Sequence, residues 1–332
     1  MKQTCLITGG AGFIGAHVTR ELIKNGYKTI VLDDLSGGFA ENIPQEARFI
    51  NGSITNHKLI NMIFEENTIS YVFHFAAYAA EGLSHFIKRF NYCNNLIGSV
   101  NLINASVNFG IKCFVFTSSI AVYGTNQLPM KESTVPLPED SYGIAKYAVE
   151  LDLKETNKMF GLNYIIFRPH NVYGEYQNIG DKYRNVIGIF INNLMQDKPM
   201  TILGDGEQTR AFSYIGDIAP IISRSIEVKE AYNDVFNIGA DTPYTINQLA
   251  KVISKVMKKP LNKIYLDARN EVLHAYADHE KAKRVFNYES KYDLEHGIKM
   301  QVEWALKVGS KKSNDFSNIE IKKNLPSVWR NQ

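Results

Sequence analysis

Thr4-Cys5-Leu6-Ile7-Thr8-Gly9-Gly10-Ala11-Gly12-Phe13-Ile14-Gly15 runs from a continuous apolar strand through a glycine turn into an amphipathic stretch that ends at Asn25-Gly26. Gly9, Gly12 and Gly15 recur at every third residue between that strand and that helix. Glycine lets the backbone turn tightly and approach a pyrophosphate with no side chain in the way, and the helix that follows offers unpaired N–H groups and a favourable dipole. The next strand, Thr29-Ile30-Val31-Leu32, ends on Asp33-Asp34. A carboxylate there suits the ribose hydroxyls of an adenosine and repels a 2′-phosphate, so NAD is expected over NADP.

Working outward, strand-like runs recur at Ala47 to Ile50, Tyr71 to Phe75, Lys112 to Thr117 and Asn163 to Phe167. Helical stretches separate them near His57 to Glu66, Asn94 to Phe109 and Tyr142 to Phe160. Continuous apolar strands alternating with helices imply an α/β chain with a parallel sheet covered on both faces. Right-handed crossovers then give a Rossmann-type, doubly wound arrangement. After Arg168 the rhythm weakens. A helix at Val186 to Gln196, a strand at Met200 to Leu203, and helices at Ile246 to Met257 and Leu294 to Val308 are expected, with a strand at Val235 to Ile238 rejoining the first sheet. The expected division is a dinucleotide domain over residues 1–170, rejoined by 212–240, and a smaller, interleaved substrate-binding α/β domain over 171–211 and 241–332. The last two dozen residues are polar and rich in Lys and Asn, and are expected to pack loosely at most.

Composition narrows the function classes. The net charge of +3 is small and the basic residues are scattered, so no nucleic-acid footprint is visible. No apolar stretch approaches membrane-spanning length, and the N-terminus lacks a signal-peptide design. Cys5, Cys93 and Cys113 have no metal-type spacing, so no metal site is expected, and Cys5 and Cys113 read as buried thiols. A reducing cytoplasm is the expected location.

Tyr142 and Lys146 stand four apart on one helix face, and Ser119 follows the strand that ends at Thr117. An ammonium beside a phenol favours the phenolate, which makes Tyr142 a candidate base with its pKa pulled down by Lys146. Ser119 lies where a doubly wound sheet presents its ligands, at the carboxyl ends of strands.

These residues carry a resemblance. The series Thr8 to Gly15, Leu32-Asp33-Asp34-Leu35, His74-Phe75-Ala76-Ala77, Ser118-Ser119-Ile120-Ala121-Val122-Tyr123-Gly124, Tyr142 to Lys146 and Arg168-Pro169-His170-Asn171-Val172-Tyr173-Gly174 resembles the extended short-chain dehydrogenases/reductases, in their NAD-dependent nucleotide-sugar epimerase/dehydratase group. The resemblance implies an NAD that is reduced and reoxidised within one turnover. Tyr142 would take a proton from a sugar hydroxyl, Ser119 would hold the same oxygen, and Lys146 would support both phenolate and cofactor. The implied cofactor contacts are Gly9, Gly12, Phe13, Ile14, Gly15, Asp33, Asp34, Ser53, Ile54, Phe75, Ala76, Ala77, Asn94, Tyr142, Lys146 and Pro169. The implied substrate contacts are Glu81, Ser84, Ser119, Tyr142, Asn171, Asn185, Val186, Thr201, Arg210, Arg269 and Ala275. Arg210 and Arg269 match diphosphate-binding arginines, and Ala275 matches a position that gates the sugar's C2 substituent and would leave room for an N-acetyl group. Ser53 replaces a frequent aspartate near the adenine, and Ala79 a lysine near the cofactor. Glu81 falls in the segment that lines the sugar pocket, and both a sugar contact and a solvent-facing role are open to it.

The group's reactions diverge at the residues after Ser119. Dehydratases resembling this chain place Asp-Glu there to eliminate water, whereas Ile120-Ala121 cannot move a proton. The resemblance therefore implies a 4-epimerase of UDP-sugars, UDP-glucose and UDP-galactose first and their N-acetylated counterparts next. The alternatives are a 4,6-dehydratase or keto-sugar reductase and, from another class, an idle nucleotide-binding sensor. A homodimer through the helices from Asn94 and Tyr142 is implied as well, with Leu151 and Leu153 equally suited to burial against the sheet.

Overall fold

The opening apolar run becomes β1 (Thr4–Thr8), which lies inside a sheet together with β2 (Lys28–Asp33), β3 (Arg48–Asn51), β4 (Ile69–His74), β5 (Cys113–Thr117) and β6 (Tyr164–Pro169). The structure is a computed structural model that describes residues 3–125, 128–268, 272–312, 316–326 and 329. From edge to edge the sheet runs Asp234–Ile238, β6, β5, β4, β1, β2, β3. All pairings are parallel, including Asp234–Ile238 on β6, so the late strand does rejoin the first sheet.

Alternate strand residues point to opposite faces, and both faces are buried. Cys5, Ile7, Val31, Phe73, Val115 and Phe167 pack on one side with Val18 and Leu22 of α1 (Phe13–Lys24). Leu6, Leu32, Val72, Phe114 and Ile166 pack on the other with Ile60, Ile63 and Phe64 of α2 (His57–Glu66). The buried thiols of Cys5 and Cys113 lie on the first face, and Leu153 lies on the second, while Leu151 is exposed.

The helix expected from Asn94 begins earlier. After the short α3 (Glu81–Ser84), α4 (Lys88–Tyr92) passes through a π-helical turn at Cys93–Ile97 into α5 (Gly98–Asn108). The next helix, α6 (Ser141–Phe160), starts where the Asp140 carboxylate accepts the Gly143 N–H at 2.8 Å and stops at Gly161, whose φ of 73° closes it.

The tail departs from expectation. Phe316, Ile319, Leu325 and Trp329 join Ala80, Leu83, Ile87 and Tyr183 in one apolar cluster. The Glu320 carboxylate accepts the backbone N–H groups of Arg89 and Phe90 at 2.8 and 2.9 Å, which caps the first turn of α4. The polar composition concealed four apolar anchors spaced along the tail.

Three histidines are held in neutral form, His74 and His170 buried and His17 partly so. Ser99 Oγ donates to Asn95 O, so it accepts from His74 Nε2 at 2.8 Å, and His74 Nδ1 faces the Thr8 hydroxyl at 2.7 Å. Burial holds His74 well below its usual range, and holds His17 and His170 at about 4 and about 3. The unfolded chain therefore binds more protons than the folded one below the ordinary value of 6.5. Stability present above that value is lost as pH falls, by roughly 2 kcal/mol per histidine at pH 5. Urea midpoints measured from pH 7 down to pH 5 are expected to drop steadily; a flat profile would contradict neutral burial.

Candidate active site

A cleft of about 670 Å³ opens along the carboxyl ends of the strands, where a doubly wound sheet binds ligands. Its floor at one end is the glycine turn. Gly9 has φ +73°, and a Cβ on it would sit 2.6 Å from Ala76 N, while a Cβ on Gly15 would strike Gly9 O. The turn therefore lies flat between β1 and β4 and brings α1 up with its first N–H groups free of any side-chain cap. The chain after β2 folds back over this turn: Phe39 N donates to Ala11 O at 3.0 Å, and Gly38 passes so close to Ala11 that a Cβ would clash.

Asp33 closes the same end. Its carboxylate accepts Ala11 N at 3.0 Å and Leu35 N at 2.8 Å, which fixes its direction at the cleft wall. Burial raises its pKa, against the pull of those two N–H groups. A cradle of glycines, an uncapped helix start and an oriented carboxylate fit the pyrophosphate and ribose of a dinucleotide.

Ser119, Tyr142 and Lys146 meet at the other end. Ser119 is the cap of a short 3₁₀ turn at Ile120–Tyr123 and its Oγ accepts Ala121 N at 3.1 Å. Tyr142 sits in the first turn of α6, with its N–H donated to Ser84 Oγ at 3.2 Å. Lys146 Nζ donates to Thr117 O at 2.8 Å and lies 5.8 Å from the Tyr142 ring centroid.

The electrostatics differ from the sequence expectation. Burial pushes the Tyr142 phenol up, the Glu81 charge adds to this, and a hydrogen bond with Ser119 works against both. Lys146 is itself brought down to about 7 by burial, opposed by the charge of Glu150. Desolvation therefore outweighs the help expected from Lys146, and Ser119 and the charge of Arg184 supply the lowering contributions.

Glu150 was not singled out from the sequence. It continues the face of Tyr142 and Lys146 by one more helical turn and is fully buried, accepting Ser118 Oγ at 2.6 Å and Arg168 Nε at 2.9 Å. Arg168 also donates to the Tyr123 hydroxyl at 2.7 Å, and Tyr123 donates to Asn237 Oδ1 at 2.8 Å. The four-residue spacing Tyr142, Lys146, Glu150 was the signal that could have revealed it.

Of the residues implied by resemblance, Gly9, Gly12, Phe13, Ile14, Gly15, Asp33, Asp34, Ile54, Phe75, Ala76, Ala77, Asn94 and Pro169 line the cleft, as do Glu81, Asn171, Asn185, Val186, Thr201 and Arg210. Asn171 and Asn185 both adopt left-handed backbone, with φ of 41° and 67°, the latter at the start of the helix Val186–Met195. The Arg210 guanidinium donates to Thr209 O and Leu273 O, each at 2.8 Å, which ties it to its own strand and to the chain beside it.

Three residues are not part of the cleft wall. Ser53 bonds Thr55, Ser84 serves the backbone of Tyr142, and Ala275, on the strand paired beside Arg210, packs with Ile120, Val122, Tyr123 and Met130. Arg269 lies outside the described residues. No group of His, Cys, Asp and Glu that could hold a metal occurs among the described residues, and no helix there is long and apolar enough to cross a membrane.

A model of the NAD dependent epimerase/dehydratase family matches residues 5–239. A putative UDP-glucose 4-epimerase of Methanocaldococcus jannaschii is 35% identical over 302 residues, covering 90% of this chain and 97% of that protein. The solved UDP-glucose 4-epimerase of Thermotoga maritima with UDP-glucose superposes with a TM-score of 0.87 at 36% identity, over 92% of this chain and 99% of its own. The UDP-N-acetylglucosamine 4-epimerase of Methanobrevibacter ruminantium, in complex with UDP-N-acetylmuramic acid, gives 0.87 at 33% identity, over 93% and 100%.

Proposed function

The chain belongs to the NAD dependent epimerase/dehydratase family, and on that premise we propose that it inverts C4 of a UDP-sugar with an NAD held in the cleft. The observation that carries the reading is the convergence of Ser119, Tyr142 and Lys146 at one end of a cleft whose other end is the glycine turn and Asp33. The Tyr142 oxygen takes the proton of the C4 hydroxyl and later returns it. Ser119 holds that same oxygen and lowers the phenol's affinity for its proton. Lys146, fixed by Thr117 O, keeps its ammonium beside the tyrosine ring. A dinucleotide bound there would supply the hydride chemistry, removal from C4 and return to its other face.

The surroundings of Ser119 favour this outcome over dehydration. Ile120 is buried with Val122 and Met130, and Ala121 has no proton to give, so the two residues after Ser119 offer no acid to expel a neighbouring hydroxyl. Residues 1–170 with 212–240 act as the dinucleotide half, and 171–211 with 241–332 as the sugar-nucleotide half. Arg210 holds the substrate diphosphate, and its fork geometry suits phosphate oxygens. The substrate set includes UDP-glucose and UDP-galactose, and the solved relative from Methanobrevibacter ruminantium supports adding N-acetylated UDP-sugars. A homodimer through the helices from Asn94 and Tyr142 belongs to the same reading, because Ile97, Ile144 and Leu151 are exposed.

Incubation with UDP-, dTDP- and GDP-hexoses, followed by product identification, tests the reading. UDP-sugars are expected to interconvert at C4 without added NADH. Turnover that consumes NADH in proportion to product would make the protein a reductase instead.

A further inference from the structure

Arg184 is a cation of the cleft wall to which none of the binding roles above is given. Asp181 accepts its Nε at 2.6 Å, and its guanidinium carbon lies 4.9 Å from the Tyr78 ring centroid. Those two contacts aim the fork. Its Nη2 comes within 3.4 Å of where a Cβ on Gly37 would stand. Gly37 belongs to the segment Ser36–Gly38 that lies across the glycine turn and lines the same cleft. The guanidinium thus reaches from the residues before the Val186–Met195 helix to the rim above the uncapped start of α1.

A guanidinium and the positive end of a helix facing one cleft repel each other unless an anion lies between them. Asp181, bound at Nε, balances only one of these two positive ends. The substrate diphosphate has its own cation in Arg210, on the strand Thr209–Ala211, whereas Arg184 approaches the rim beside the glycine turn. We propose that Arg184 clasps the pyrophosphate of the bound dinucleotide from the side opposite the glycine turn, and so retains the cofactor through turnover. This assignment rests on the dinucleotide reading of the cleft.

Calorimetric titration of the full chain, freed of nucleotide, with NADH, ADP, adenosine and UDP tests it. R184M keeps the stem against Tyr78 and removes the fork, and R184K keeps the charge without the planar geometry. R184M is expected to weaken NADH and ADP by about tenfold to a hundredfold and to leave adenosine and UDP unchanged, with R184K between it and the wild type. D181N, which loosens the fork's aim, is expected to weaken NADH by a smaller factor. Unchanged NADH affinity in both R184M and R184K, or a loss confined to UDP, would overturn the assignment alone. A wild-type chain that binds UDP but neither NADH nor ADP would overturn it together with the dinucleotide reading.

Discussion

Replacing Tyr142 with phenylalanine is expected to cut turnover by about 100- to 10,000-fold while the fold and the cofactor affinity persist. The ring is buried, and its backbone N–H is held by Ser84 regardless of side chain. Phenylalanine fills the same space and keeps the ring 5.8 Å from the Lys146 ammonium. Only the hydroxyl is lost, and with it the group that exchanges a proton with the sugar and accepts help from Ser119. Isomerisation rates, read beside melting temperature and NADH titration, check the expectation. Near-normal turnover would remove the proposed chemistry, and a collapse in melting temperature would mean the hydroxyl is structural. The base must lose its proton to act, so the acid limb of the rate profile follows Tyr142. Ser119→Ala removes a contribution that lowers its pKa and should move that limb to higher pH; Glu81→Gln removes one that raises it and should move it the other way.

The second large effect lies one turn further along the same helix. Glu150→Ala is expected to destabilise the protein by about 3–5 kcal/mol, because it leaves the Arg168 guanidinium buried without its counter-charge. Combining it with Arg168→Leu should recover part of the loss, since two apolar groups need no partner. The recovery stays partial, because Ser118 has lost its bond to Glu150 and Tyr123 loses its donor Arg168 as well. Urea unfolding of the single and double variants checks this, and a double variant no better than the single would show that the ion pair is not the source. Glu150→Gln is gentler and separates chemistry from stability. Glu150 raises Lys146, whose pKa stands at about 7, so the amide should lower it further. Ammonium is then lost at lower pH, and the alkaline limb of kcat/KM should shift toward acid.

Local pattern made the first half of the chain legible. Continuous apolar runs, the glycine turn, Asp33 and the Tyr142–Lys146 spacing are all short-range signals, and each became a sheet strand or a cleft residue in the expected order. The late strand at Asp234–Ile238 was also readable, because its apolar run matches the others. What escaped depends on partners far apart in sequence. Glu150 looks like an ordinary helical acid until Arg168 and Ser118 surround it. Arg184 looks like a loop arginine until Gly37 and Tyr78 frame it. Counting along the chain could not show that Ala275 pairs beside Arg210 and packs with Ile120, Val122, Tyr123 and Met130. The balance of burial and charge at Tyr142 belongs to the assembled cleft and leaves no trace in a four-residue spacing.

The tail that packs on Ala80 to Phe90 has a consequence for synthesis. The segment bearing Glu81 leaves the ribosome some 230 residues before Glu320, the distance spanned by the hydrogen bonds from Arg89 and Phe90 to that carboxylate. At the usual pace of translation this is a lag of roughly 10 to 50 s. The glycine turn and the central strands can assemble during that interval, but the wall around Glu81 cannot gain its cap or its apolar cover until Phe316 to Trp329 emerge. A nascent chain should therefore be able to bind nucleotide well before it can process a sugar.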